Sequence, residues 1–113
     1  MAVLTYDLLS VRLVRLLLSF AYVQGMTPLH WAADRGHHDI IATLLAYSAD
    51  VHAVDHDGQT PLHYACSCGH VTSAKLLIRA GANLEARDLE GQSAINLADE
   101  ALRSELLLTV SDM

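Results

Sequence analysis

Proline is nearly absent, two residues in 113, and both stand in the same tetrapeptide, TPLH, at positions 27–30 and 60–63. A polyproline ligand or a proline-stiffened linker is thereby excluded. Aromatic residues make up 5% and charged residues 18%, against 52% hydrophobic residues drawn mainly from Leu, Ala, Val and Ile. That balance excludes a disordered chain and disfavours a ring-rich β-sandwich; it fits closely packed helices. Lysine occurs once, as Lys75, and seven Lys+Arg face 13 Asp+Glu for a net charge of -6. No basic stripe exists to neutralise a phosphate backbone, so nucleic acid is excluded as the expected ligand.

Cysteine is scarce too. Cys66 and Cys68 form a CxC pair, whose side chains diverge by about 200° on a helix, poor geometry for a disulfide. A small secreted scaffold carries more cysteine, so a reducing compartment is expected, the cytoplasm first and the nucleus second. Two arginines, Arg12 and Arg15, and the stretch Gly25–Pro28 interrupt the one long apolar run, so no membrane span is expected. With 113 residues, one domain fits.

What the sequence does have is a period. Residues 25–57 laid over residues 58–90, an offset of 33, coincide at 12 positions: Gly25/Gly58, Thr27/Thr60, Pro28/Pro61, Leu29/Leu62, His30/His63, Ala32/Ala65, Gly36/Gly69, His37/His70, Leu44/Leu77, Ala49/Ala82, Ala53/Ala86 and Asp55/Asp88. A third, degraded copy fills residues 91–113. It opens at Gly91, with Ser93, Ala94, Ile95, Asn96 and Ala98 where Thr60, Pro61, Leu62, His63 and Ala65 stand one period earlier.

Each unit reads physically. Thr27 and Thr60 cap helices whose first residue is Pro28 or Pro61, where the missing N–H costs nothing. Leu29, Ala32 and Ala33 share a helical face, and the small alanines admit a neighbouring helix. Gly36 and Gly69 stop the helix by supplying a left-handed residue. A second helix follows, about His38–Tyr47 with Ile40, Ile41, Leu44 and Leu45 inward, or about Val71–Arg79 with Ala74, Leu77 and Ile78 inward. Then Ala49, Val51 and Ala53 alternate with polar residues up to a DG or EG turn, the mark of a β-hairpin loop. In the third unit, which lacks the proline and the GH turn, the first helix is expected to run through DEALRSELLLTV.

TPLHWAADRGH with SADVHA, and TPLHYACSCGH with GANLEA, resemble ankyrin repeats over about residues 25–110. The resemblance implies an all-α solenoid of stacked helix-turn-helix units with β-hairpin loops, and a non-enzymatic module that binds another protein in a concave groove. It implies no cofactor, no metal and no catalytic residue. The groove-side positions that vary between copies are the candidate contacts: Met26, Asp34 and Arg35 in the first unit; Val54, His56, Asp57 and Gln59 around the first turn; Ser67 and Cys68 at the end of the second TPLH helix; Arg87, Leu89, Glu90 and Gln92 around the second turn. Trp31 and Tyr64, which share one repeat position, either pack between units or anchor a partner, packing being favoured. In detail, HWAADRGH and DGQTPLHYACSCGH are similar to the ankyrin tail of acyl-CoA-binding proteins. The chain carries no four-helix acyl-CoA-binding domain, so acyl-CoA is expected as a ligand only with an upstream domain that this chain lacks.

Competing chemistries fail on geometry. His30, His63, His37 and His70 hold fixed repeat positions, and equivalent residues of stacked repeats lie about 10 Å apart, too far to share a zinc ion. They are expected to hydrogen-bond threonine hydroxyls or loop backbone and tie repeats together. Cys66 matches buried Ala33 while Cys68 matches exposed Arg35, so one metal cannot reach both. DHDG at positions 55–58 opens like a calcium loop, but its twelfth place is Cys66. No nucleotide-binding, metalloprotease or serine-hydrolase motif occurs.

Two full units and one defective one fall short of a self-sufficient stack. Residues 1–24 are therefore expected to help: LLSVRLVRLLLSFAYVQ reads as the second helix of an eroded repeat packing on Leu29 and Leu44, with a shortened loop before Gly25. A secretory signal cleaved near Ser19-Phe20-Ala21, a mitochondrial presequence, or a marginally stable fragment without a dedicated partner are the alternatives.

Overall fold

The computed structural model describes residues 23–113; the expectation for residues 1–22 lies outside them. A 3-10 turn, Val23–Gly25, leads into six helices: α1 (Pro28–Arg35), α2 (His38–Ala46), α3 (Pro61–Ser67), α4 (Val71–Arg79), α5 (Ala94–Leu97) and α6 (Glu100–Ser111). They form two layers, with α1 against α2 and α3 against α4 inside the first two units. α1 packs on α3 and α3 on α5; behind them α2 packs on α4 and α4 on α6.

The local signals act as read. Thr27 and Thr60 are extended residues whose hydroxyls accept the N–H of His30 and His63, and each proline sits in the first turn of its helix. Such a cap is worth about 1 kcal/mol. Ala32, Ala33, Ala65, Ala74 and Ala94 are fully buried and let the helices approach closely, while Leu29, Ile41, Leu62, Leu77 and Leu106 fill the space between them. Burial of each such leucine stabilises the fold by roughly 1.5–3 kcal/mol. Ile40 and Leu45 are half-buried, and Ile41 and Leu44 form the inner edge of α2.

Two expectations need correction. The segment DEALRSELLLTV is the second helix of the third unit, not its first. Ser93 caps a single turn, α5, by accepting the N–H of Asn96; Ala98 then goes extended, and Asp99 starts α6 by accepting the N–H of Leu102 at 2.8 Å. Serine and aspartate together do what threonine, proline and glycine do in the other units. Arg103 from α6 reaches the carbonyls of Ile95 and Ala98, satisfying acceptors at the end of α5. The expected β-hairpins are also absent as strands: among the described residues the only bridge is antiparallel, between Arg87 and Ser93. The turn itself closes, with Asp55 N–H donating to the Gln59 carbonyl at 3.0 Å and Gly58 N–H to the Asp55 carbonyl at 3.0 Å. Side chains then claim the groups that a longer ladder would need.

Gly36 and Gly69 both adopt left-handed backbone, at φ 69° and 75°. Their surroundings differ: a Cβ on Gly36 would stand 2.6 Å from His70 Nδ1, whereas Gly69 faces open space. Gly36→Ala is therefore expected to cost more than the roughly 1–2 kcal/mol of the left-handed strain alone, and Gly69→Ala about that strain and no more. Thermal melts of the two variants check the order. Ser48 tests the converse. It is left-handed at φ 64° where the next unit has Gly81, and Ser48→Gly is expected to raise stability by up to about 1 kcal/mol in the same melts.

Candidate functional site

The turns and the first helices are joined by one repeated device. Thr27 N–H donates to His30 Nδ1 at 3.1 Å, and Thr27 Oγ1 lies 2.8 Å from the same nitrogen. With Nδ1 accepting a backbone N–H, the ring proton sits on Nε2, which donates to the Gln59 carbonyl of the next unit at 2.7 Å. His63 repeats this with Thr60 and with the Gln92 carbonyl at 3.0 Å. His70 makes a third link, donating from Nε2 to the Asp34 carbonyl of the preceding unit at 3.0 Å. These three histidines tie units together as expected. His37 does not among the described residues; its ring packs against Trp31 with centroids 5.4 Å apart.

The turn tips are held by aspartates. Asp55 Oδ1 accepts the N–H groups of Asp57 and Gln59, each at 2.9 Å, and Oδ2 accepts the Tyr64 hydroxyl. Asp88 Oδ1 accepts the N–H groups of Glu90 and Gln92, and its Oδ2 accepts Gln59 Nε2 at 3.1 Å. Adjacent tips are bonded to each other through backbone: His56 N–H to the Gln24 carbonyl at 2.9 Å, and Leu89 N–H to the Asp57 carbonyl at 3.0 Å. The row of tips is thus built before any ligand arrives.

Electrostatics follow the bonding. Burial of the His30 ring lowers its pKa below the ordinary 6.5, outweighing the Gln59 carbonyl and the Asp55 charge, which favour the cation. Burial pushes the Asp55 carboxyl up, but the Tyr64 hydroxyl and the turn amides of Gln59 and Asp57 overcome it and leave the group below its ordinary value. The Gln92 amide and the Gln59 side chain lower Asp88 likewise. Tyr64 is raised by burial and by its carboxylate partner. Burial pushes the Cys66 thiol up to about 12, and burial with the hydrogen bond to Asp34 raises Cys68. Neither cysteine is poised as a nucleophile.

The candidate contact residues fall into two groups separated by a helix length, roughly 11 Å. At the tips, Val54 is 57% and Leu89 78% exposed, with His56, Asp57, Arg87, Glu90 and Gln92 also exposed. Arg87 donates to the Gly91 carbonyl at 2.7 Å within its own turn. At the far ends of α1 and α3 stand Asp34, Arg35, Ser67 and Cys68. Cys68 Sγ donates to Asp34 at 3.5 Å, and Arg35 lies over the Trp31 ring at 5.7 Å. Met26 and Gln59 are half-buried, and Gln59 belongs to the scaffold: its carbonyl serves His30 and Asp55, its amide Asp88. Trp31 and Tyr64 are engaged within the stack, Tyr64 meeting the His30 ring edge-on at 5.6 Å. Sequence reasoning missed the aspartate clamps, although the Asp55/Asp88 identity signalled them.

Among the described residues no group of three or more His, Cys, Asp or Glu could hold a metal ion, and no helix is long and apolar enough to cross a membrane. The family model for ankyrin repeats (3 copies) matches residues 2–88. The chain belongs to the ankyrin-repeat family. Ankyrin repeats generally mediate protein–protein interaction and are typically non-catalytic. No curated protein matches the chain. The family match stops before the third described unit and starts before the first, so it takes in most of the segment ahead of Gly25.

The neutral, bonded His30 makes stability depend on pH. Its folded pKa lies below the unfolded 6.5, so the unfolded state binds the extra proton between the two values. The contribution is complete above 6.5 and is lost as pH falls through 6.5 toward the folded value. The aspartates act lower: their contribution is complete above 3.8 and is lost as pH falls from 3.8 through their lowered folded values. His30→Gln is expected to cost about 2 kcal/mol at neutral pH by leaving buried partners unmade, and to flatten the fall in melting temperature just below pH 6.5. A pH series of thermal melts on both proteins measures this.

Proposed function

We propose that this ankyrin stack is a docking module whose binding face is the row of turn tips, and that it receives a protein surface offering an apolar side chain flanked by basic groups. The observation that carries the reading is the exposure of Val54 and Leu89 on neighbouring tips already locked by backbone and aspartate hydrogen bonds. Large apolar side chains held out in solvent on a rigid frame lose little entropy on binding and bury their area against a partner.

Charge supports the basic component. Asp57 and Glu90 flank the apolar pair, neither takes part in an ion pair among the described residues, and the nearby Arg87 is turned onto its own backbone. The whole chain carries a net charge of -6. Complementary charge of this kind sets orientation and association rate more than affinity. The two cavities at the ends of the stack, about 210 and 290 Å³, are lined without any Lys, Arg or His, and Lys75 is paired with Glu105 at 3.0 Å. A phosphorylated acyl carrier therefore finds no cationic partner in them, and protein docking is the better reading of this chain than lipid carriage.

Affinity capture with the intact chain and with the double variant Val54→Ser/Leu89→Ser tests the face. Both changes are at exposed tips, so the melting temperature is expected to stay nearly unchanged. Binding of captured partners is expected to weaken on the order of tenfold or more, as for loss of two apolar anchors, and Glu90→Lys to slow association. Full retention of every partner by the folded double variant would reject the tip row. A substitution at Gln59 is a poor probe, because it would loosen the bond to Asp88 between units.

A further inference from the structure

The geometry points to a second copy of this chain as the occupant of the downstream end of the stack. Two copies meet there about a two-fold axis, each laying α6 and the loop 82–85 against the same elements of the other. α4 is packed between α2 and α6, whereas α6 packs on α4 and has no helix on its far side among the described residues. Counted from their capping residues, His70 and Asp99, the two helices match position for position. The third and seventh residues are buried in both: Ser73 and Leu77 in α4, Leu102 and Leu106 in α6. The fourth and eighth part company, for Ala74 and Ile78 are buried while Arg103 is exposed and Leu107 is 52% exposed. That difference marks the open side of α6. Leu107 and Val110 there form one wall of a groove of about 290 Å³, with the loop 82–85 and Ile95 opposite. Half of the large apolar side chains exposed among the described residues, Leu107, Leu108, Val110 and Met113, lie in α6 or directly after it, the mark of an association surface.

Charge decides the occupant. Arg103 Nε donates to the Ile95 carbonyl at 3.3 Å, and the Ile95 N–H donates to the Leu84 carbonyl at 3.2 Å. Arg103 and Glu85 therefore stand on either side of Ile95, with apolar surface between them. Both are exposed, and neither takes part in an ion pair among the described residues. A face with a cation at one edge, a carboxylate at the other and an apolar middle is complementary to itself. A half-turn about its centre sets each Arg103 beside the other copy's Glu85, and each Leu107 against the other's groove. Nε and Nη2 of Arg103 hold the carbonyls of Ile95 and Ala98, which leaves Nη1 for the pair. A further unit stacked in the repeat's own direction fits this face poorly: inside the stack helices close over Ala74, which is fully buried, and the long side chain of Arg103 fills the corresponding place. A contact of this size belongs to the weak class, with a dissociation constant on the order of 10–100 μM.

Sedimentation equilibrium of the full chain over a concentration series tests the pairing. The unaltered chain is expected to pass from monomer to dimer across the series, and Leu107→Glu, at an exposed site, to weaken the association about tenfold or more while keeping its melting temperature. Glu85→Arg and Arg103→Glu each bring like charges together and are each expected to weaken self-association about tenfold. Mixed, these two variants are expected to pair with one another as strongly as the unaltered chain does with itself, because each supplies the charge that the other lacks. Should Arg103→Glu fail to fold for want of its bonds to Ile95 and Ala98, Leu107→Glu and Glu85→Arg decide the matter alone. The tip variant Val54→Ser/Leu89→Ser is expected to self-associate normally, which separates this face from the tip row. The inference is overturned by a chain that stays monomeric up to about 1 mM, by a dimer that Leu107→Glu leaves intact or the tip variant abolishes, or by folded charge variants that pair no better mixed than alone.

Discussion

A neutral imidazole holding two backbones at once is the interaction on which the rest depends. In His30 and His63 one ring nitrogen accepts from the start of its own helix and the other donates to a carbonyl one unit further on. No other side chain offers an acceptor and a donor on opposite sides of a rigid ring in an uncharged state. The cap that begins a helix and the bond that stacks it on the next are thus the same residue, which couples local helix formation to long-range order. A stack built this way gains stability unit by unit through nearest neighbours.

The aspartate clamps show how the same frame tolerates variation. Asp88 completes its set with the amide of Gln59, but the residue one period earlier is Met26, which has no donor to give Asp55. Tyr64, from the following helix, supplies the missing proton instead. The carboxylate is satisfied from opposite directions in the two turns while the turn keeps its shape. The residues left outside these arrangements, Val54 and Leu89 above all, are the ones free to differ for the sake of a partner.

Much of the fold was legible because its signals are local and repeated. The threonine–proline start, the left-handed glycine and the bounds of α2 and α4 follow from residue type and spacing, and the structure has them where the sequence puts them, within one residue at Tyr47. The third unit was misread because its cap uses Ser93 and Asp99, neither of which the first two units contain at those places, and the helix break at Ala98 needs no glycine. The hairpin strands were misread because alternation at Ala49, Val51 and Ala53 reports burial of one face, which a bent loop can achieve as well as a strand. At the candidate surface, exposure of the tips was readable from their variability. The half-burial of Gln59 was not, because its carbonyl accepts from His30 and its amide donates to Asp88, each 29 residues away, and neither bond has a local sequence signature; for His70 a tie to loop backbone was readable, but not that its acceptor, 36 residues away, is the Asp34 carbonyl.

The tip-to-tip bonds from His56 to Gln24 and from Leu89 to Asp57 give the row a fixed pitch. A ruler of this kind measures in whole units only. An insertion of a few residues inside a unit would throw its tip out of step with both neighbours, whereas duplication of an entire unit would extend the row and preserve every spacing. Natural lengthening of such a chain is therefore expected to proceed by copying complete modules, and a partner that spans two tips would find the same distance between any adjacent pair.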